Sequence, residues 1–99
     1  MSRRLDDEEI ARQLADLPGW TGDGAGLERS YAFPEFLVLV RGVDEIAVVA
    51  EAMNHHPDLD IRWRTLHVGL STHDAGGVTQ LDIELAHRIE GIAASHGAT

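Results

Sequence analysis

The sequence predicts an α+β domain: an antiparallel four-stranded sheet backed by helices, in the order α-β-β-α-β-β-α. Three observations carry that expectation. Apolar residues recur every three or four positions in three separate stretches, strict alternation sets in after His56-Pro57, and a Gly-rich turn divides the short segments around Trp20 and from Leu27 to Phe33. Helices and hairpins that arrive in such blocks favour one sheet with helices layered on it.

Leu5-Asp6-x-x-Glu9-Ile10 reads as a helix start in which Asp6 caps, Glu9 returns the bond, and Leu5 packs on Ile10 as a staple. Ile10, Leu14 and Leu17 then form one apolar stripe, and Pro18-Gly19 ends it. The stretch Gly22-Asp23-Gly24-Ala25-Gly26 is read as the turn of a first hairpin.

Pro34 suits the first turn of a second helix, along which Phe36, Val40, Val43, Ile46, Ala50 and Met53 recur at helical steps. The Val-rich stretch 37–43 also suits a buried strand, but a periodic pattern of about 18 residues is longer than typical strands. Helix is therefore expected, although Gly42 costs it about 1 kcal/mol relative to Ala.

In the second hairpin Ile61 and Trp63 alternate with Arg62 and Arg64, and Leu66, Val68 and Leu70 with His67, Gly69 and Ser71. Thr72 to Gly77 is a polar, Gly-rich loop. Thr79-x-x-Asp82 opens a third helix as a capping-box variant, with Leu81, Leu85, Ile89 and Ile92 on one face. The tail beyond Ser95 is expected to fray.

A chain of 99 residues and 10.8 kDa suits one domain over 1–99, and its 43% hydrophobic and 25% charged residues are those of a chain that folds. The net charge of −9 comes from 8 Arg against 17 Asp and Glu, and both halves of the chain are net negative. Nucleic-acid phosphate and anionic membranes are therefore poor partners. The absence of cysteine removes disulfides, thiol nucleophiles and thiolate metal sites, and suits a cytoplasmic protein. The segment Met1 to Glu9 has four acids where a signal peptide needs apolar residues, so no export signal is expected. The longest aliphatic run, Phe36 to Val40, is far below the roughly 18–20 residues that cross a bilayer.

Six histidines are many for this length, and three fall at junctions: His55 and His56 at the end of the second helix and His73 in the loop before the third. Pro57 pushes His56 toward an extended conformation, so the adjacent rings point in different directions. Glu51 lies four residues before His55, where a continuing helix lets its carboxylate orient or charge-stabilise that ring. Converging imidazoles suit proton transfer near neutrality, because the ordinary histidine pKa is about 6.5. A His-His-Pro that only caps a helix or sits solvated is the competing reading.

The run Glu51, His55-His56-Pro57, Trp63, His73 and Asp82 resembles, without a gap, the signature of the pterin-4a-carbinolamine dehydratases. Asn54, the segment Ser71-Thr72-His73-Asp74-Ala75-Gly76-Gly77, and Leu81 with Leu85-Ala86 extend the likeness over residues 51–93. The resemblance implies an enzyme that dehydrates 4a-hydroxytetrahydropterin to quinonoid dihydropterin, in recycling of tetrahydrobiopterin-type cofactors, with no metal and no cofactor. It implies His55 and His73 as the acid-base pair, His56 as a substrate-orienting group, and Glu51 and Asp82 as supporting carboxylates. Pro57, Trp63 and Asp74 join the substrate-binding or supporting set.

Other readings stand beside these. Asp82 already has a structural role as partner of Thr79. Trp63 suits the core on the inner face of a strand, and Asp74 suits a local backbone turn. His67, His87 and His96 are most simply solvated. A zinc site built on His55, His56 and His73 is disfavoured, since no helical His-x-x-x-His pair is present and adjacent imidazoles rarely chelate one ion. A second functional class, a non-catalytic dimerisation or assembly partner on the same scaffold, is the alternative. Self-association as a homodimer or homotetramer through helix or sheet-edge contacts is expected.

Overall fold

The structure, a computed structural model, describes residues 3–99; Met1 and Ser2, the start of the segment read for an export signal, lie outside them. The expected order holds: α1 (Asp7–Leu14), β1 (Thr21–Asp23), β2 (Gly26–Ala32), α2 (Phe36–Met53), β3 (Asp58–Arg62), β4 (Thr65–Leu70) and α3 (Gln80–Ser95), with a 3-10 turn at His73–Ala75. The four strands pair antiparallel in the order β1-β2-β4-β3. No helix among the described residues is long and apolar enough to cross a membrane.

Strand alternation separates the two faces of the sheet. Leu27 and Tyr31 of β2 and Leu66, Val68 and Leu70 of β4 are buried, while Glu28, Ser30 and His67 stay exposed on the other face. The buried set forms one core with Leu39 and Ile46 of α2 and Ile83, Leu85, Ile89 and Ala93 of α3. Both anticipated capping boxes are present: Asp6 accepts from the Glu9 N–H at 2.8 Å, and Asp82 Oδ2 accepts from the Thr79 N–H at 2.9 Å. Arg3 is hydrogen-bonded to Glu9 and, with the capping contact to Asp6, holds the Glu9 carboxyl down to about 2.

Several expectations are corrected. Trp63 is neither in a strand nor in the core: it occupies the β3–β4 turn at φ +54° and is 78% exposed. The two-residue connection between antiparallel strands demands positive φ, and the local pattern of alternation does not reveal it. On α2 the buried positions are Leu39, Gly42, Ile46 and Ala50, so Phe36 at the first turn is left exposed. Gly42 has a packing reason, because a Cβ there would stand 3.2 Å from the Phe33 ring. The tail does not fray: Thr99 and Ala32 exchange backbone hydrogen bonds at 2.9 and 3.4 Å. His67 bonds to Ser30 at 2.5 Å across the β2–β4 pair, and half-buried His96 bonds to Glu45.

Beneath the sheet, Tyr31 donates to Glu90 Oε1 at 2.6 Å, and Trp20 Nε1 donates to Tyr31 Oη at 3.0 Å and to Glu90 at 3.2 Å. Burial, then the bond to Glu90, push the Tyr31 phenol well above its ordinary range. The neutral phenol is thus favoured by folding, and that stabilisation is complete below the ordinary value of 10.0 and lost as pH rises past it. Tyr31→Phe is expected to cost about 1 kcal/mol in urea unfolding at neutral pH, with the gap to wild type narrowing above pH ~10. A gap that widens with alkali would contradict this assignment.

Candidate active site

Antiparallel pairing of β3 with β4 puts Asp58 opposite Gly69, so the residues just before β3 meet those just after β4 at one end of the sheet. This register brings His55-His56 beside Ser71–His73. The N-terminus of α3 completes the junction through Thr79 and Asp82.

The end of α2 sets the direction of the histidine pair. Asn54 takes the left-handed conformation at φ 50°, ψ 43°, which asparagine tolerates better than most residues. The His55 N–H reaches the Ala50 carbonyl at 3.0 Å and the Asn54 N–H reaches that of Glu51 at 3.1 Å, a Schellman closure. The helix therefore stops before either histidine, and Asn54 rather than Pro57 makes the turn. Because His55 no longer continues the helix, its expected contact with Glu51 does not form. Glu51 instead accepts from exposed His56, Oε1 to Nε2, at 2.8 Å.

His55 turns inward, with its side chain only 10% exposed, and its Nε2 stands 2.6 Å from Oδ1 of Asp82, a carboxylate with no exposure at all. Oδ2 of the same carboxylate accepts from the Thr72 hydroxyl at 2.7 Å in addition to the Thr79 N–H. Such burial is tolerable only because both oxygens are satisfied. Asp82 is thus both the N-cap partner of α3 and the support of His55.

The loop carrying His73 is closed by a backbone pair, Thr72 N–H to Gly77 O at 3.0 Å and Gly77 N–H to Thr72 O at 3.3 Å. Gly77 is required by close approach, since a Cβ would lie 2.4 Å from the Gly24 carbonyl oxygen. His73 is exposed on the turn this closure makes.

Two hollows meet here. One of about 210 Å³ is lined by His55, His56, Ser71, His73 and Asp74, together with Asn54 and Thr72. The other, about 480 Å³, shares Asn54, His55, Thr72 and Asp74 and adds Arg4, Ala75 and Leu81. The three histidines singled out from sequence therefore line one hollow, with Asp74 in its wall and Asp82 buried behind His55. Half-buried Pro57 follows the pair without lining either hollow, and Glu51 touches the site only through His56. Trp63 lies at the opposite end of the β3–β4 hairpin, about 17 Å away at the usual rise per residue, and lines neither hollow.

Arg4, Asn54 and Thr72 were not singled out by residue chemistry. Asn54 had a readable signal, an asparagine between a helical stripe and a proline. Arg4 had none, because it reaches the larger hollow through a bridge to Thr79 and the Leu5 N–H bond to Val78 at 2.8 Å, contacts that span almost the whole chain.

A polar hollow with one buried, carboxylate-backed imidazole and two exposed ones can donate and accept protons on a small bound molecule. The contrast in burial predicts unequal structural roles. Asp82→Asn is expected to cost about 1–3 kcal/mol by leaving buried donors mispaired, whereas Glu51→Gln, in an exposed pair, is expected to change stability by under about 0.5 kcal/mol. Thermal unfolding of both variants checks this, and equal losses would show that Asp82 is not a structural anchor.

The family model for pterin 4 alpha carbinolamine dehydratase matches residues 3–92. A protein of Roseiflexus sp. (strain RS-1), provisionally named a pterin-4-alpha-carbinolamine dehydratase, is 47% identical over 93% of this chain and 99% of its own. A protein of Nocardia farcinica with the same provisional name is 48% identical over 90% of this chain and 94% of its own. Among solved structures, a transcriptional coactivator/pterin dehydratase from Brucella melitensis superposes with a TM-score of 0.88 at 32% identity, covering 92% of this chain and 99% of that one. A pterin dehydratase-like protein described as a RuBisCO assembly factor of the alpha-carboxysome shares the fold, at a TM-score of 0.62 and 19% identity over 75% of this chain and 86% of that one. With a family match over nearly its full length and a relative 47% identical over 93% of it, the chain belongs to the pterin 4 alpha carbinolamine dehydratase family.

Proposed function

We propose that this protein dehydrates a 4a-hydroxytetrahydropterin to the quinonoid dihydropterin and water, with His55 and His73 as the acid-base pair and His56 as the substrate-orienting group. The observation that carries the reading is the presence of His55 and His73, 18 positions apart in sequence, in the wall of one hollow. The C4a–O bond breaks as one imidazole protonates the departing hydroxyl, and the electron pair left by N5 deprotonation forms the C4a=N5 bond. Protons and charge balance with one group acting as acid and another as base, each transfer contributing about 10²–10⁴-fold by general experience. Asp82 holds His55, and the pair Glu51–His56 forms the outer lip. Asp74 and Arg4 add a carboxylate and a guanidinium with which to bind the polar pterin ring. Trp63, solvent-facing at the far turn, is left outside the proposed chemistry of one protomer.

The test follows the decay of chemically generated 4a-carbinolamine by absorbance. The wild type is expected to accelerate it, and His55→Ala and His73→Ala to lose about 10²-fold or more. Equal rates in all three would remove the catalytic reading and leave the assembly-partner role.

The proposed enzyme works in the cytoplasm as a dimer or tetramer of this chain. Supporting the self-association, three large apolar side chains of α2, Phe36, Leu37 and Val48, are 47%, 63% and 70% exposed, surface that a partner copy would cover. Light scattering is expected to give a multiple of 10.8 kDa, and a monomer at micromolar concentration would refute it.

A further inference from the structure

We infer that Thr72 and Thr79 form a directed hydroxyl relay that fixes the tautomer of His55, so that its Nδ1 is the only ring nitrogen offered to substrate. The inference rests on the proposed reaction for its consequence in turnover, but its structural part stands alone.

The direction of every proton in the chain follows from counting donors. Asp82 is 0% exposed and its Oδ2 accepts from the Thr79 N–H and from the Thr72 hydroxyl. Thr72 has a single hydroxyl proton, now committed to Asp82. Its 2.8 Å contact with Thr79 Oγ1 must therefore use the Thr79 hydroxyl as donor. Thr79 Oγ1 is in turn free to accept, and it takes the Leu81 N–H at 3.3 Å. The sequence of donors runs from the first turn of α3 through two threonines to the carboxylate, with no group asked to donate twice.

That relay bears on His55. With Oδ2 already taken by two donors, Oδ1 is the oxygen left to accept from Nε2, which stands 2.6 Å away. A neutral His55 then carries its proton on Nε2, and Nδ1 is the lone-pair nitrogen. No protein group among the described residues hydrogen-bonds Nδ1, and His55 lines both hollows. The substrate's proton is exchanged at Nδ1, and Nε2 stays with Asp82 throughout.

Thr72 has a second attachment that makes it more than a spare donor. Its backbone closes the loop bearing His73 through the paired bonds to Gly77. One residue thus supports His55 through its side chain and His73 through its main chain. Thr72, Thr79 and Asp82 are positioning residues: Thr79 and Asp82 line neither hollow, and the hydroxyl proton of Thr72, which does line both, is spent on Asp82.

The experiment combines histidine ¹⁵N spectra with steady-state kinetics on the full chain. Wild type is expected to show His55 as the Nε2–H tautomer above neutrality. Thr72→Val, which keeps the shape and removes the hydroxyl, is expected to lower kcat about tenfold with KM changed less than about threefold, and to mix the tautomers. Thr72→Ser is expected to restore both. A wild-type His55 protonated on Nδ1 overturns the relay without any variant. So does a folded Thr72→Val protein with unaltered spectrum and kcat. A wild type with the Nε2–H tautomer but no carbinolamine turnover would instead sink the dehydratase reading alone.

Discussion

A carboxylate removed from water is destabilised by several kcal/mol unless donors replace its hydration, and the arrangement around Asp82 is the constraint on which this structure depends. The donors come from three segments: Thr79 at the start of α3, Thr72 at the exit of β4, and His55 at the exit of α2. Each is held by its own backbone interactions, the capping box, the loop closure to Gly77 and the Schellman turn at Asn54. A shift in any one leaves a buried acceptor short of a donor. The end of the sheet is thereby locked in the geometry that faces the histidines toward a common hollow.

Local rules made much of this legible. The capping pairs Asp6–Glu9 and Thr79–Asp82 depend on three-residue spacing, and both formed as read. The strands of the second hairpin announced themselves by alternation, and the resemblance over residues 51–93 pointed to histidines that do gather. The misses share a physical cause: each depended on something outside the local window. Asn54 enters the left-handed region and ends the helix, so Glu51 bonds to His56 rather than His55. Trp63 continues an apolar alternation that the strand itself abandons for a two-residue turn. The phase of α2 is chosen by where Phe33 lies against Gly42, and the last residues are ordered by Ala32, both long-range facts.

Arg4 and Thr72 illustrate a different kind of illegibility. Neither residue type is unusual in a chain with 8 arginines and a polar loop, and no spacing links them to His55. Their place in the hollow is created by tertiary pairing, the bridge from Arg4 to Thr79 and the carboxylate shared with Thr72. A sequence motif identifies the groups that perform proton chemistry more readily than those that hold them, because supporting hydrogen bonds can be supplied from many chain positions.

The burial contrast within the hollow has an energetic meaning. His55 is buried and already bonded to Asp82, so binding a small molecule beside it costs little further ordering. His56 and His73 are exposed, and fixing each against a ligand costs roughly 0.5–1.5 kcal/mol of side-chain entropy. The exposed pair of Glu51 with His56 restrains that ring weakly, since such pairs contribute at most about 1 kcal/mol in water. A proton-transfer step is sensitive to small errors in distance, whereas holding a flat polar ring tolerates adjustment. In the proposed reaction the buried His55 therefore suits one proton transfer and the adaptable His56 suits recognition, a division set by which ring α2 turns inward at Asn54. His73, carried on the closed Thr72–Gly77 turn, is fixed for the other transfer only when the ligand binds.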